Sequence, residues 1–140
     1  MKTREKSIGL TKDVGWQFGL RKTFSYSQEY LWDFMFSDKG LEIWLGKLNE
    51  RLEIKKTYKT KEGIEGLVRV FTPYSHIRMN WKKKSWDNMS TVQVRVTGNQ
   101  KKATISFHQE KLLDDTQREE MKIYWNEKMK EIEKRLAIEN

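Results

Sequence analysis

The two histidines are the first candidates for acid–base or metal chemistry, because imidazole titrates near neutral pH and binds metal ions readily. His76 and His108 form neither an H-x-x-x-H nor an H-E-x-x-H motif. Each is out of phase with the apolar residues of its predicted strand, which indicates a position in solvent or on the outer rim. The chain has no cysteine, so disulfides, thiolate metal sites and a cysteine nucleophile are excluded. The sequence therefore predicts no metal site.

Motifs for nucleophilic catalysis and phosphate binding are also missing. There is no G-x-S-x-G elbow, no glycine-rich phosphate loop and no G-K-S/T motif. The paired carboxylates Asp114-Asp115 and Glu119-Glu120 stand at the start of a predicted helix, where the helix dipole favours negative charge, so we interpret them as capping residues. We predict no catalytic residue and no cofactor, and a protein that is not an enzyme.

Aromatic residues are the unusual part of the composition, with six Trp, five Tyr and six Phe. One interpretation is that these rings simply fill the core, because they bury a large apolar area. The other is that rings and flexible methionines line a pocket that repacks around an apolar guest. The predicted ligand-binding residues are Trp32, Phe36, Trp44, Met79, Trp81, Met121, Trp125 and Met129.

The net charge of +8 is unevenly distributed along the chain. Residues 1–84 hold 18 Lys and Arg against 10 Asp and Glu, whereas residues 85–140 hold 10 of each. Such a basic half can attract nucleic acid, anionic lipid or an acidic protein, but the scattered positions of its lysines favour an ordinary solvated surface. The run Lys82-Lys83-Lys84 lies between two predicted strands and indicates a hairpin tip first and a binding patch second. Nucleic-acid binding is disfavoured, because Lys82 to Trp86 is the only interleaving of basic and aromatic residues.

These side chains need a scaffold, and its clearest element is the C-terminal segment. Residues 114–140 contain no Gly or Pro, and apolar residues recur there at helical spacing: Met121, Trp125, Met129, Ile132 and Leu136. This pattern predicts one long amphipathic helix over about 115–138. Thr116 is the predicted cap of its first turn, with Glu119 bonding back to the cap amide.

The rest of the chain alternates with period two, apart from two short helical stretches. We predict strands over 16–25, 52–60, 64–72, 76–82, 91–97 and 103–111, and short helices around 30–36 and 41–45 capped by Ser25 or Ser27 and by Ser37-Asp38. Short connections favour an antiparallel sheet. The first 14 residues read as a loose arm and 15–140 as one domain. No run approaches the length of a membrane span and no signal-peptide pattern opens the chain, so a cytoplasmic protein is expected.

This order of elements and several local stretches resemble the SRPBCC (START-like, helix-grip) superfamily. Within it, the sequence is most similar to the branch named for the activator of the heat-shock protein 90 ATPase. The stretches that carry the resemblance are 15–24 (GWQFGLRKTF), 30–33 (YLWD), 44–46 (WLG), 77–81 (IRMNW), 104–110 (TISFHQE) and Trp125. The resemblance implies an α+β fold in which a six-stranded antiparallel curved sheet wraps around the C-terminal helix, with two short helices between strands 1 and 2. It also implies a cavity between sheet and helix.

Two functional hypotheses follow. The first is a non-enzymatic binding domain for a small hydrophobic or amphipathic ligand held between the sheet and the long helix. The second is a protein-interaction module, associated with a chaperone, that presents its basic surface to an acidic partner. A third and weaker hypothesis is an enzyme acting on a bound aromatic or lipid substrate, which would need a polar dyad inside the pocket.

Overall fold

The computed structural model describes residues 10–11 and 15–139. Within them the chain forms seven strands and three helices. In chain order these are β1 (Leu10–Thr11), β2 (Gly15–Phe24), α1 (Gln28–Met35), α2 (Asp38–Trp44), β3 (Thr57–Lys59), β4 (Glu65–Thr72), β5 (His76–Trp81), β6 (Ser90–Gly98), β7 (Ala103–Leu112) and α3 (Asp115–Glu139).

The strands form one sheet in the order β1-β2-β7-β6-β5-β4-β3, and every neighbouring pair is antiparallel. Register shifts between Trp16 and Phe18 in β2 and between Val68 and Val70 in β4 are irregularities of the kind that bend strands. Helix α3 packs on β2, β7 and α2. The predicted helix-grip architecture, with six strands curved around a long C-terminal helix, is confirmed. The two-residue β1 adds a seventh strand at the β2 edge.

The predicted strand 52–60 is wrong in its extent, because only Thr57–Lys59 is extended. Lys55 has a positive φ of 67°, which interrupts an extended chain. Its backbone N–H donates to the Val68 carbonyl at 2.7 Å, so a turn replaces the first half of the strand. Most of the predicted N-terminal arm, 1–14, lies outside the described residues; within it, Leu10–Thr11 pairs with β2.

Helix starts follow the predicted capping chemistry in two cases out of three. The hydroxyls of Ser27 and Ser37 accept hydrogen bonds from the backbone N–H groups of Tyr30 and Gly40, at 3.0 and 3.1 Å. The predicted Thr116 cap of α3 is wrong. Asp114 performs this role, because its Oδ1 accepts from the Gln117 N–H at 2.8 Å and the helix already begins at Asp115.

The core lies between the concave face of the sheet and α3. The predicted inward sets of β5, β6 and β7 are all buried, and so is the α3 stripe Met121, Trp125, Met129, Ile132 and Leu136. The convex face carries the polar set, including His76, Arg78, Gln93 and Arg95. At Gly66 the backbone passes so close to β5 that a Cβ would collide with the Asn80 carbonyl, which excludes larger residues there.

Candidate functional site

The eight predicted ligand-binding residues lie in or against the core. Trp44, Met79, Trp81 and Met121 are 0% exposed, Trp32, Trp125 and Met129 are also buried, and Phe36 is half-buried. Their elements differ: Trp32 belongs to α1, Trp44 to α2, Met79 and Trp81 to β5, and Met121, Trp125 and Met129 to α3. The fold therefore brings residues from three helices and one strand together.

The rings form one connected chain across the interior. Trp32 stacks on Phe36 with centroids 4.2 Å apart, and Phe36 meets Trp44 edge-on at 5.7 Å. Phe107 then lies between Trp44, at 6.4 Å, and Trp125, on which it stacks at 4.6 Å. Trp125 in turn is 6.0 Å from Trp81. These distances are those of direct ring contacts, so side chains occupy the space between the rings.

A buried hydrogen-bond chain, which the sequence analysis did not anticipate, holds the centre of this core. The Trp125 indole N–H donates to Gln109 Oε1 at 2.7 Å, and Gln109 Nε2 donates to Ser90 Oγ at 2.9 Å. Ser90 Oγ donates to the Trp81 carbonyl at 2.5 Å. Gln109 follows Ala103, Ile105 and Phe107 at every second position of β7, so its side chain also faces the core. A polar residue at such a position needs a buried hydrogen-bond partner, and this feature of the sequence could have predicted the hydrogen-bond chain.

Among the described residues, one buried side-chain polar atom has no hydrogen-bond partner: Trp81 Nε1. The ring of Trp81 is surrounded by Trp86 at 5.3 Å, Tyr124 at 5.6 Å and Trp125 at 6.0 Å. Trp86 and Tyr124 both lie at 70° to it. An indole N–H enclosed by rings is less costly than one enclosed by aliphatic groups, because aromatic faces attract N–H donors weakly.

A cleft of about 760 Å³, which we call the lysine cleft, lies beside the core. Four segments form it: the end of α2, the β3–β4 turn, the β5–β6 connection and α3. Its floor is apolar, and three lysines and two glutamates stand around it. The lining residues are Glu42, Leu45, Gly46, Glu62, Ile64, Lys83, Lys84, Ser85, Tyr124 and Lys128.

Tyr124 is the residue that connects the lysine cleft with the core. Its ring meets Trp125 edge-on at 5.1 Å and Trp81 at 5.6 Å. The amines of Lys83 and Lys128 lie 5.1 and 4.8 Å from the centroid of the same ring, within the range of cation–π attraction. One tyrosine therefore contacts the buried tryptophans and two charged groups of the cleft.

The surroundings of three cleft residues shift their pKa values. Burial, with a smaller effect of Glu62, raises the pKa of Tyr124 to about 12. Burial lowers the pKa of Lys128, with Lys83 adding to the effect and Glu62, Glu127 and Glu131 opposing it. Burial disfavours the Glu62 carboxylate, yet hydrogen bonds from its own backbone, from the Lys47 N–H at 3.1 Å and from Thr60 hold its pKa below the ordinary value.

The glycine in the cleft wall has a conformational role. Gly46 has a φ of +132°, which L-residues rarely adopt, and a Cβ there would collide with Glu62 Oε1. A glycine at this position therefore lets the α2 end pass directly over the Glu62 carboxylate.

The lysine run 82–84 lies in the β5–β6 connection, as predicted, but its three side chains have different surroundings. Lys82 donates to the Trp86 carbonyl at 2.8 Å and lies 3.5 Å from the Glu65 carboxylate. Lys83 forms an ion pair with Glu120 of α3. Lys84 alone is exposed. The run is therefore divided between structural contacts and the cleft instead of forming one basic patch.

Both histidines lie on the convex polar side of the sheet, as their phase predicts. His76 Nδ1 is 2.8 Å from Ser75 Oγ, and His108 Nε2 is 2.7 Å from Gln17 Oε1. Burial lowers the pKa of His76, with Arg95 and Arg78 adding to the effect. Within 10–11 and 15–139 there is no cluster of three or more His, Asp or Glu residues that could hold a metal ion.

Residues 25–137 match the sequence profile of the family described as activator of Hsp90 ATPase homolog 1-like protein, so the chain belongs to this family. The comparison with curated proteins gave no match. No helix among the described residues is both long enough and apolar enough to cross a membrane.

Solved structures share the fold at low sequence identity. DynU16, from the dynemicin biosynthetic locus, superposes with a TM-score of 0.77 at 12% identity, covering 86% of this chain. The match spans 47% of DynU16, about half its length. An AHSA1 protein from Silicibacter pomeroyi gives 0.71 at 16% identity, covering 89% of this chain and 99% of that one. An HSP90 activator from Plasmodium falciparum gives 0.60 at 16%, covering 69% and 74%.

Proposed function

We propose that this protein is a non-enzymatic binding domain for a small hydrophobic or amphipathic ligand, and that the ligand enters through the lysine cleft. The observation that supports this most is the position of the cleft beside the core, between α3, the end of α2 and the β3–β4 and β5–β6 connections, with Leu45, Ile64 and Tyr124 as apolar lining. Its volume of about 760 Å³ is in the usual range for small-molecule sites.

In this proposal the eight predicted aromatic and methionine residues form the apolar interior behind the cleft. Tyr124 separates the two, because its ring lies against Trp81 and Trp125 on one side and lines the cleft on the other. A ligand resting on Tyr124 would reach Trp81 or Trp125 if the tyrosine ring moved aside. Those eight residues therefore stay in the proposal as an inner boundary that a larger ligand would contact.

Binding without catalysis is supported by the chemistry of the cleft lining. Tyr124 keeps its proton up to about pH 12, and the low pKa of Glu62 makes it a weak base. The described lining includes no histidine. A general base needs a pKa near the working pH, which neither Tyr124 nor Glu62 has.

The test of the proposal is to obstruct the lysine cleft without disturbing the core. Ser85 is exposed and lines the cleft, so Ser85→Trp adds a ring there. We expect the wild-type protein to bind decanoate or decanol with micromolar affinity, about 8 kcal/mol, measured by calorimetry. Ser85→Trp should weaken this by at least about tenfold, or about 1.4 kcal/mol.

The matched control is Gln100→Trp, which adds the same ring at an exposed position in the β6–β7 connection. This variant should bind as the wild type does, and both variants should melt at nearly the wild-type temperature. Unchanged affinity in Ser85→Trp, or no heat from either amphiphile with the wild type, would contradict the proposal.

A second candidate function, binding of an acidic protein partner, is favoured by the convex face of the sheet. Cross-strand pairing aligns His76 with Arg95, Arg95 with Ser106 and Ser106 with Arg21, across four strands. One row therefore carries two arginines and a histidine, whereas Arg78 in the adjacent row is ion-paired with Glu110. A similar fold occurs in an HSP90 activator from Plasmodium falciparum, which is consistent with a chaperone as the acidic partner.

This second candidate predicts salt-sensitive association. Exposed charges are screened beyond about 10 Å at 0.1 M salt, so binding to an acidic protein should weaken steeply as salt is added. The double variant Arg21→Glu, Arg95→Glu should abolish capture of an acidic partner, whereas Ser85→Trp should leave it unchanged. Capture that is indifferent to both salt and the double variant would exclude the convex face.

A further inference from the structure

We infer that the lysine cleft selects an amphipathic anion, with a carboxylate or phosphate head group held by Lys83 and Lys128 above Tyr124 and an apolar tail lying on Leu45 and Ile64. This inference rests on the proposed ligand-binding function and specifies the chemistry of its ligand. Three features of the charged groups in and beside the cleft support it.

First, Lys128 is partly buried without a close counter-ion. Among the described residues, no carboxylate lies within 4 Å of its amine, although Glu62, Glu127 and Glu131 are near enough to act on it electrostatically. The amine lies 4.8 Å from the centroid of the Tyr124 ring. A partly desolvated amine without an ion pair gains more from a bound anion than a solvated or paired amine does.

Second, two amines converge on one ring. Lys83 and Lys128 lie 5.1 and 4.8 Å from the Tyr124 centroid, so their nitrogens are no more than about 10 Å apart. Like charges at this separation repel each other, and Lys83 contributes to the lowered pKa of Lys128. An anion placed between them would remove this repulsion and give each amine an acceptor.

Third, two carboxylates in or beside the cleft, those of Glu62 and Glu120, already have partners within the protein. The Glu62 carboxylate accepts from the Lys47 N–H and from Thr60, on the side covered by Gly46. Glu120 pairs with Lys83 from α3 and is not among the residues that line the cleft. A ligand anion would therefore compete with Glu120 for one lysine and would find the other without an ion pair.

The apolar part of the cleft lies next to this charged part. Leu45 is 2% exposed and Ile64 is 5% exposed, so both present only a small surface, at the base of the cleft. Together with the half-buried Tyr124 ring they form the apolar surface on which a short alkyl or aryl tail would lie, whereas the head group stays at the lysines. This division between tail and head distinguishes an amphipathic anion from a neutral apolar guest and from inorganic phosphate.

The experiment compares probes that share a tail and differ in charge. Decanoate, decyl phosphate, decanol and decyltrimethylammonium are titrated into the full chain by calorimetry, below their critical micelle concentrations, with inorganic phosphate as a head group without a tail. We expect the two anions to bind at least about tenfold more tightly than decanol, the size expected for one charge-assisted contact. The cation and inorganic phosphate should give no measurable heat. The ratio between decanoate and decyl phosphate distinguishes a carboxylate from a phosphate ligand.

Variants then assign the effect to the two lysines. Lys128→Gln should weaken decanoate binding about tenfold and leave decanol binding unchanged, whereas Lys128→Arg should retain most of the affinity. Glu120→Gln should strengthen decanoate binding several-fold, because it releases Lys83. Lys101→Gln, at an exposed position in the β6–β7 connection, is the matched control and should change nothing.

The outcomes separate this inference from the proposed function. If decanol binds as tightly as decanoate, or Lys128→Gln affects both equally, the anion selectivity is wrong while ligand binding in the cleft stands. If no probe binds, both are wrong. Added salt provides a test without mutation, because anion binding should weaken between low and moderate ionic strength and decanol binding should not.

Discussion

The interior behind α3 and the lysine cleft at its rim satisfy their polar groups in opposite ways. In the interior, Trp125, Gln109 and Ser90 bond to one another within the protein and the surrounding rings contact each other directly; the Trp81 Nε1 atom is the exception, with no hydrogen-bond partner in the described part of the chain. In the cleft, Lys128 is partly buried without a carboxylate within 4 Å among the described residues. An interior that bonds to itself stabilises the fold, whereas a rim with unpaired charge is available to a ligand. The predictions below test this contrast, from the largest effect to the smallest.

The largest expected effect is on the interior. Trp125→Ala should lower the free energy of unfolding by about 3 to 5 kcal/mol, because it removes a 1% exposed indole and leaves a cavity beside Phe107. Since the free energy of unfolding of an ordinary domain is only about 5 to 15 kcal/mol, chemical denaturation would detect this loss easily. A loss below about 1 kcal/mol would mean that the helix and sheet are loosely packed, and a ligand cavity between them would then be the better account.

The next effect concerns the buried hydrogen-bond chain. Gln109→Leu replaces the amide by an apolar side chain of similar size and leaves the Trp125 N–H without its acceptor. This should lower the free energy of unfolding by about 1 to 3 kcal/mol. The matched control is Gln93→Leu on the adjacent strand, where the side chain is half-buried on the convex face. This variant should change the free energy of unfolding by no more than about 0.5 kcal/mol. Equal losses in the two variants would show that the chain of bonds has no special role.

A pH experiment compares the cleft with the edge of the sheet, because Tyr124 lines the cleft and Tyr58 belongs to the edge strand β3. Burial raises the pKa of Tyr124 to about 12 and raises that of Tyr58, whose hydroxyl donates to the Asn80 carbonyl at 2.5 Å. Unfolded tyrosines release their protons near pH 10, so these two groups stabilise the fold below that pH and their contribution is lost above it.

The expected loss from Tyr124 alone is about 1 kcal/mol at pH 11. Tyr124→Phe and Tyr58→Phe should each flatten the decline of stability between pH 10 and 12 relative to their values at pH 7. Tyr30, which is exposed, serves as the matched control through Tyr30→Phe. Identical alkaline profiles for all three variants would contradict the burial of the two hydroxyl groups.

The sequence predicted the features that depend on local periodicity. The α3 stripe, the inward sets of β5 to β7 and the serine caps each involve residues within a few positions of one another. Strand 52–60 and the Thr116 cap were wrong because the positive φ at Lys55 and the choice of Asp114 depend on local geometry that periodicity does not encode.

Most of the lysine cleft could not be predicted from the sequence, because four segments that are distant in the chain form it. Lys83 and Lys84 were noticed only as part of a run. Tyr124 and Lys128 carried a usable signal, since they lie four residues apart on α3 and border the buried stripe at Met121 and Trp125. The eight predicted ligand contacts, the cytoplasmic location and the one-domain boundary at residue 15 stay predictions.

The smallest expected effect on stability is that of replacing Lys128. Its direction distinguishes a residue that serves ligand binding from one that stabilises the fold. Lys128→Met keeps the length of the side chain, retains its packing against Tyr124 and removes the charge. Because burial lowers the pKa of this amine, the charged form is disfavoured in the folded protein, so the variant should be unchanged or more stable, by less than about 1 kcal/mol at pH 7. Decanoate binding should nevertheless weaken about tenfold.

The pH dependence of this residue is opposite to that of the tyrosines. A lysine with a lowered folded pKa loses its proton in the native state before the unfolded chain does, so stability rises with pH between that lowered pKa and the ordinary value near 10.4. Lys128→Met should remove this rise, whereas Lys101→Met should retain it. If Lys128→Met instead lowers stability at neutral pH, the cation–π contact with Tyr124 outweighs the cost of burial. Lys128 would then be a structural residue of the rim, and the contrast between a self-bonded interior and a ligand-ready cleft would be wrong.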